Sequence, residues 1–178
     1  MKGVLFNVIE DVVTEALSAD AWDDVVDSSG VTGAYTSLGN YPDGDLTRIV
    51  IATAAAAGLS EDATVRLSGR AGFKHLMRRA PHLLEGLDDW KAVLTSLDSI
   101  IHPEVLKIYP DADVPRFEIV ADGDALIVTY TSKRDLCVLA DGLMLGCGDS
   151  FGVELSVEHL TCTNKGGASC TMRVAEDG

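Results

Sequence analysis

Two hydrophobic periods run along this chain, and the change from one to the other divides it. From Lys2 to Leu17 the apolar residues Leu5, Phe6, Ile9, Val12, Val13 and Leu17 recur at helical spacing. Trp22, Val25 and Val26 predict a short second helix, which "DSSG" brings to a stop. Thr32 to Asp45 is rich in glycine and turn formers and predicts a loop. "DLTRIVIATAAAAG" predicts a helix closed by Gly58. The next helix opens with Ser60 as N-cap and ends at Pro81, with glycines inside it that dilute the pattern. "LDDWKAVLTSLDSIIHPEVLKIYP" carries the strongest helical pattern of the chain.

After Pro110 the period shortens. "VPRFEIVADGDALIVTYTSKR" predicts two strands around an Asp122-Gly123-Asp124 turn. "RDLCVLADGLMLGCGDSFG" is helical again. "VELSVEHLTCTNKGGASCTMRVAE" predicts a hairpin turning at "NKGG". A helical first half followed by a small antiparallel sheet with one inserted helix defines an α+β class. The length of 178 residues suits a single domain with a real core.

Composition narrows the partners. With 47% hydrophobic and 24% charged residues the chain is globular. A net charge of −14 argues against nucleic acid and anionic membrane surfaces, which need basic patches. No apolar run approaches membrane-spanning length, and acids at Glu10 and Asp11 break the first apolar stretch before it can serve as a signal peptide. A cytoplasmic location is expected. In that compartment the four cysteines are thiols or metal ligands rather than structural disulfides.

Two stretches carry candidate chemistry. In "SIIHPEVLKIYP", His102 sits on the flank of the stripe formed by Trp90, Val93, Leu94, Leu97, Ile100, Ile101 and Val105. Pro103 has no N–H and clashes with the carbonyl one turn earlier, so a kink there re-aims the neighbouring side chain. His102 reads either as a solvated helix-end residue or as an axial ligand to haem iron. In "YTSKR", Tyr130, Ser132 and Arg134 stand at i, i+2 and i+4, one face of a strand. A phenol, a hydroxyl and a guanidinium on one face suit a carboxylate such as a haem propionate, and equally suit a polar outer strand face.

The order of "MKGVLFNVIEDVV", "LDSIIHPEVLKIYP", Pro115 before "RFEI", and "YTSKR" resembles the haem-nitric oxide/oxygen binding family, H-NOX, related to the haem domain of soluble guanylate cyclase. The resemblance spans essentially the whole chain and implies a stand-alone bacterial member. It implies haem b between an N-terminal helical distal lobe (about 1–60) and a proximal lobe of helices and sheet (about 61–178), all in one domain, 1–178. By the same resemblance His102 is the proximal iron ligand, Tyr130, Ser132 and Arg134 bind the propionates, and Pro115 packs on the porphyrin. Oxygen-binding members place a distal tyrosine on the helix after the YxSxR strand. That helix has none here; Leu139, Leu143 and Met144 are its apolar candidates, and Leu5 and Ile9 suit the opposite wall. An apolar pocket disfavours oxygen, so the resemblance implies a nitric oxide sensor, with carbon monoxide as a second candidate gas. In that mechanism NO weakens the His102–iron bond and the helix bearing His102 relaxes. Stand-alone members regulate a histidine kinase or a cyclic-di-GMP enzyme, which makes such a protein the expected partner.

"EHLTCTNKGGASC" adds His159, Cys162 and Cys170, and Cys137 lies on the preceding helix. A His/Cys3 set of this kind suits tetrahedral zinc, and the same residues also read as buried small hydrophobes with a surface histidine. Some H-NOX proteins carry zinc at a matching position. Cys147 has no assigned partner, and His75 and His82 are given no role. A zinc-thiol redox sensor and an oxygen-carrying haem protein remain as alternatives to the gas sensor. No P-loop and no Ser/His/Asp arrangement in a recognisable context is present, so a binding module is expected rather than an enzyme.

Overall fold

The computed structural model describes residues 1–177. The first half is helical, with α1 (Gly3–Ala16), α2 (Ala19–Ser29), α3 (Asp43–Ala57) and α4 (Glu61–Arg79). The ends follow local chemistry. Ser18 and Ser60 cap α2 and α4 by accepting hydrogen bonds from the Ala21 and Ala63 N–H groups. Gly30 and Gly58 close α2 and α3 in the left-handed conformation that glycine reaches without steric cost. Pro81 ends α4 and opens a short 3-10 turn over Pro81–Leu84.

The strongest predicted helix is not one helix. It comprises α5 (Trp90–Thr95), a π-helical turn at Leu97–Ile101 and α6 (His102–Ile108). Ile101 N–H reaches Ser96 O, and His102 N–H reaches Leu97 O. Pro103 explains the break. It has no N–H to offer the carbonyl four residues back, and its ring crowds that carbonyl. The wider π turn makes room immediately before it.

β1 (Arg116–Asp122), β2 (Ala125–Thr131), β3 (Leu155–Thr161) and β4 (Cys170–Glu176) form one antiparallel sheet in the order β1-β2-β4-β3. The β1–β2 turn is Gly123-Asp124, with Gly123 at positive φ as its predicted place requires. The expected hairpin is formed by β3 and β4, with a bulge between His159 and Thr161. Between β2 and β3 runs α7 (Cys137–Ser150).

There are two cores, and they share no residue. The smaller joins Phe6, Val13, Trp22, Val25 and Ile49 of α1–α3. The larger joins Phe73, Trp90, Val93 and Ile101 to Cys137, Met144 and Cys147 of α7 and to Val128, Met172 and Val174 of the sheet. α4 connects them. On one side Val8 and Val12 of α1 pack over its Gly72. On the other its backbone meets that of α7 so closely that a Cβ on Gly142 would lie 2.1 Å from Arg66 O, and one on Gly146 would lie 2.2 Å from Arg70 O.

Candidate functional site

His102 begins α6, its ring mostly buried. Nδ1 lies 3.1 Å from Asp98 Oδ1. The other Asp98 oxygen accepts the backbone N–H of Phe117 on β1 at 2.9 Å. Asp98 therefore ties the histidine to the edge strand. Nε2 makes no hydrogen bond among the described residues. Burial pulls the imidazole pKa down, and the Asp98 carboxylate opposes this only in part, so the ring is neutral at neutral pH and Nε2 can offer a lone pair. The ring is tilted against Phe117 at 5.8 Å, and Phe117 in turn meets Tyr130 edge-on at 5.5 Å. Pro115 is half-buried, one residue before β1.

Tyr130, Ser132 and Arg134 come together, but not by strand alternation. β2 ends at Thr131. Only Tyr130 is within it, buried; Ser132 and Arg134 lie in a bend beyond it. The bend is fixed by the Arg134 N–H donating to Ser132 Oγ at 3.0 Å and by the Tyr130 hydroxyl donating to Arg134 O at 3.2 Å. The guanidinium crosses to the helical lobe. Nε donates to Asp43 Oδ2 at 2.7 Å, and Nη1 donates to Asp113 O at 3.0 Å. Asp43 also holds the Met1 ammonium at 2.7 Å, and hydrogen bonds from that ammonium and from Arg134 draw its carboxyl below the ordinary value. A second cross-lobe tie runs from Lys2 and Asn40 to Asp111.

Of the apolar residues expected at the distal wall, Leu5 and Leu139 are half-buried and belong to neither core. Ile9 packs on the smaller core and Leu143 on the larger. Met144 is a fully committed member of the larger core, because the face of α7 that carries it also carries Cys137, Ala140 and Cys147. None of the chain's four tyrosines lies on α7. His75 is buried against Asp11 and Glu15 of α1, and His82 is exposed.

At the opposite end of α7 three thiols converge. Cys137 Sγ lies 3.7 Å from Cys162 Sγ, and Cys170 Sγ lies 3.9 Å from it. The turn after β3 donates to them. The Asn164 amide reaches Cys137 at 3.8 Å, and the Thr163 N–H reaches Cys170 at 3.4 Å. Burial pushes the Cys137 thiol up; at Cys170 burial acts the same way but is outweighed by the Thr163 hydroxyl and N–H, so that thiol is drawn down. Cys147 stands apart, pushed up to about 12 by burial. His159 is not in the group of three. Its Nε2 lies 2.8 Å from both carboxylate oxygens of Asp141, and Nδ1 is buried without a hydrogen bond. Sequence reading gives Asp98, Asp43 and Asp141 no part. Asp141 is visible in hindsight as a charge in the middle of a largely apolar helix, a turn after Cys137.

A helical lobe tied through Arg134 to a helix-and-sheet lobe, the second carrying His102 with one ring nitrogen free, defines a two-lobed α+β domain. The family model "Haem-NO-binding" matches residues 2–159, and the chain belongs to that family, H-NOX, whose members bind haem. The chain is similar to an H-NOX protein from S. oneidensis solved in the Fe(II)NO ligation state, with a TM-score of 0.92, 26% identity and 100% of both chains covered. It is similar to an H-NOX domain from Shewanella oneidensis in the Fe(II)CO ligation state, with a TM-score of 0.90, 26% identity and coverage of 100% and 99%. An unliganded Fe(II) H-NOX protein from K. algicida gives a TM-score of 0.83 at 25% identity, with coverage of 100% and 97%. No curated protein matches the chain by sequence. Among the described residues no helix is long and apolar enough to cross a membrane.

Proposed function

We propose that this chain is a cytoplasmic nitric oxide sensor that holds haem b between its lobes and reports to a separate signalling protein, a histidine kinase or a cyclic-di-GMP enzyme. The observation that carries this reading is His102, neutral, with Nε2 free and a carboxylate behind Nδ1. Imidazoles that ligate metals are held from the far nitrogen in this way. The donor set fits the cofactor's acidic arms. Arg134 Nη2 has no hydrogen-bond partner among the described residues, and the Ser132 hydroxyl, which accepts from Arg134, keeps its own proton to donate.

Haem, when bound, would supply a ferrous iron able to take a diatomic gas. His102 Nε2 would hold that iron. Asp98 fixes the ring by its hydrogen bond and links it to Phe117, so a force on the imidazole is delivered to the π turn and to β1 together. Leu5, Ile9, Leu139 and Leu143 offer no hydrogen-bond donor to a polar bound gas, which favours NO, with CO as a weaker ligand, over oxygen. The test is an absorption spectrum of the reduced protein alone, with NO, and in air. Histidine-ligated ferrous haem that takes NO and ignores air is expected, and His102→Gly is expected to lose haem unless imidazole is added. A colourless protein after expression with ample haem, or a stable oxygen complex, overturns the reading.

The three sulfurs support a second reading at a second place. A tetrahedral zinc with Zn–S bonds of about 2.3 Å sets its thiolates about 3.8 Å apart. The observed 3.7 and 3.9 Å match two edges of one face of that tetrahedron, and all three sulfurs lie within 4.8 Å of one another. We infer a structural zinc on Cys137, Cys162 and Cys170, with His159 as the fourth ligand. Its loss on thiol oxidation would give the sensor a redox input.

A further inference from the structure

The zinc reading leaves His159 unexplained as it stands, because its Nε2 faces a carboxylate and not the thiols. We propose that Asp141 is the positioning residue of this site: it accepts the Nε2 proton of His159, leaves Nδ1 bare as the fourth donor to the three-sulfur face, and is itself held by Arg66 of α4. The inference rests on the zinc reading above and adds residues to it.

Three observations carry it. Asp141 is fully buried in a largely apolar helix, a position a carboxylate keeps only when it is paired. It has two partners: His159 Nε2 at 2.8 Å and Arg66 Nη2 at 2.8 Å. Second, the hydrogen bond at Nε2 selects the tautomer. A proton on Nε2 shared with Asp141 leaves a lone pair on Nδ1, and that nitrogen is buried with nothing to accept it from. A buried lone pair without a donor is costly, and a metal ion satisfies it. Third, the topology brings His159 beside the sulfurs from two directions. His159 is opposite Met172 on β4, and Cys170 is two residues along on the same face of that strand. Cys137 and Asp141 are one turn apart on the same face of α7. The ring that touches Asp141 is therefore carried on the same strand face as Cys170 and against the same helix face as Cys137, outside the 4.8 Å that holds the three sulfurs together.

The arrangement also joins the metal site to the rest of the molecule. Arg66 lies on α4, and α4 and α7 are in backbone contact at Gly69 and Gly142.

The test uses the full haem-loaded chain. Zinc per chain is measured by elemental analysis, zinc affinity by chelator competition at neutral pH, and ligand geometry from the visible bands of the Co(II)-substituted protein. Wild type is expected to bind one zinc. Asp141→Asn is expected to lower affinity about 10- to 100-fold and to shift the Co(II) bands, as loss of an outer carboxylate does at other sites. His159→Ala is expected to lose as much, and the double variant no more than His159→Ala alone, since the two act as one unit. Arg66→Met keeps the aliphatic cover on the helix and leaves the buried Asp141 with His159 as its partner, so thermal unfolding is read beside zinc content; it is expected to weaken zinc by a smaller factor. Zinc-loaded wild type with Asp141→Asn and Arg66→Met both at wild-type affinity and unchanged Co(II) bands overturns the role of Asp141 and leaves the zinc reading standing. Wild type that takes up no zinc overturns the zinc reading and this one with it.

Discussion

His102 Nδ1 lies 3.1 Å from Asp98 Oδ1, across the one π-helical turn among the described residues. The wide turn, the carboxylate within it and the proline after it act together. Asp98 meets the ring on one oxygen and the Phe117 N–H on the other, so the imidazole, α6 and β1 are mechanically one piece.

Asp98→Ala removes the anchor from both. The ring keeps its place on the chain but loses its orientation, and haem is expected to leave about 10-fold faster. Transfer of haem to excess apomyoglobin measures the rate. Asp98→Asn, which retains one acceptor oxygen, is expected to fall between the two. An Asp98→Ala protein that holds haem as long as wild type counts against the coupling.

Acid should open the lobes at a defined place. The Asp111 carboxyl is lowered to about 2 by hydrogen bonds from Lys2 and then Asn40, both on the helical lobe. A carboxyl depressed in the folded state stabilises it fully above the ordinary value near 3.8, and that contribution is lost as pH falls through about 2. The Asp111 carboxyl carbon followed by NMR should titrate near 2, and Lys2→Met should move the midpoint up toward the ordinary value. A midpoint unchanged by Lys2→Met contradicts the contact. The pair is solvent-exposed, so salt should weaken it as well.

Gly142→Ala tests the contact of α4 with α7. The added Cβ would lie 2.1 Å from Arg66 O and 2.9 Å from Arg70 N, against backbone that cannot swing aside. A loss of about 3 kcal/mol is expected, at the upper end for overpacking. Urea unfolding should show a lower midpoint with the same slope. A midpoint within error of wild type would mean that the helices separate freely.

Much of this was legible in one dimension. The caps, stops and strand turns lie where their residue types place them, the Ser18 cap included though the pattern did not single it out, because capping and turn formation are local: Ser60, Gly58, Pro81 and Gly123 each act within four residues. The three thiols were legible as a set because cysteine is rare and its chemistry narrow. What sequence could not show is pairing at long range. Arg134 meets Asp43 from 91 residues away, and nothing near either residue announces the other. The π turn was hidden for a different reason: Trp90 to Val105 satisfies a 3.6-residue period well, and only the backbone geometry forced by Pro103 breaks it. Ser132 and Arg134 were expected on a pleated face, but β2 stops at Thr131, and a bend gathers the same three residues.

The two separate cores leave the molecule built like a box with unlike sides. Along α1 and α4 the walls are joined both by apolar contact, Val8 and Val12 over Gly72, and by the ion pairs Lys74–Glu15 and Arg79–Asp11. Across the opposite rim they are joined by charge, Asp43 with Arg134 and Asp111 with Lys2, within reach of water. Raising the salt therefore slackens the Arg134 and Lys2 ties, while the contact of Val8 and Val12 with Gly72 keeps α1 on α4 when the ion pairs beside it weaken.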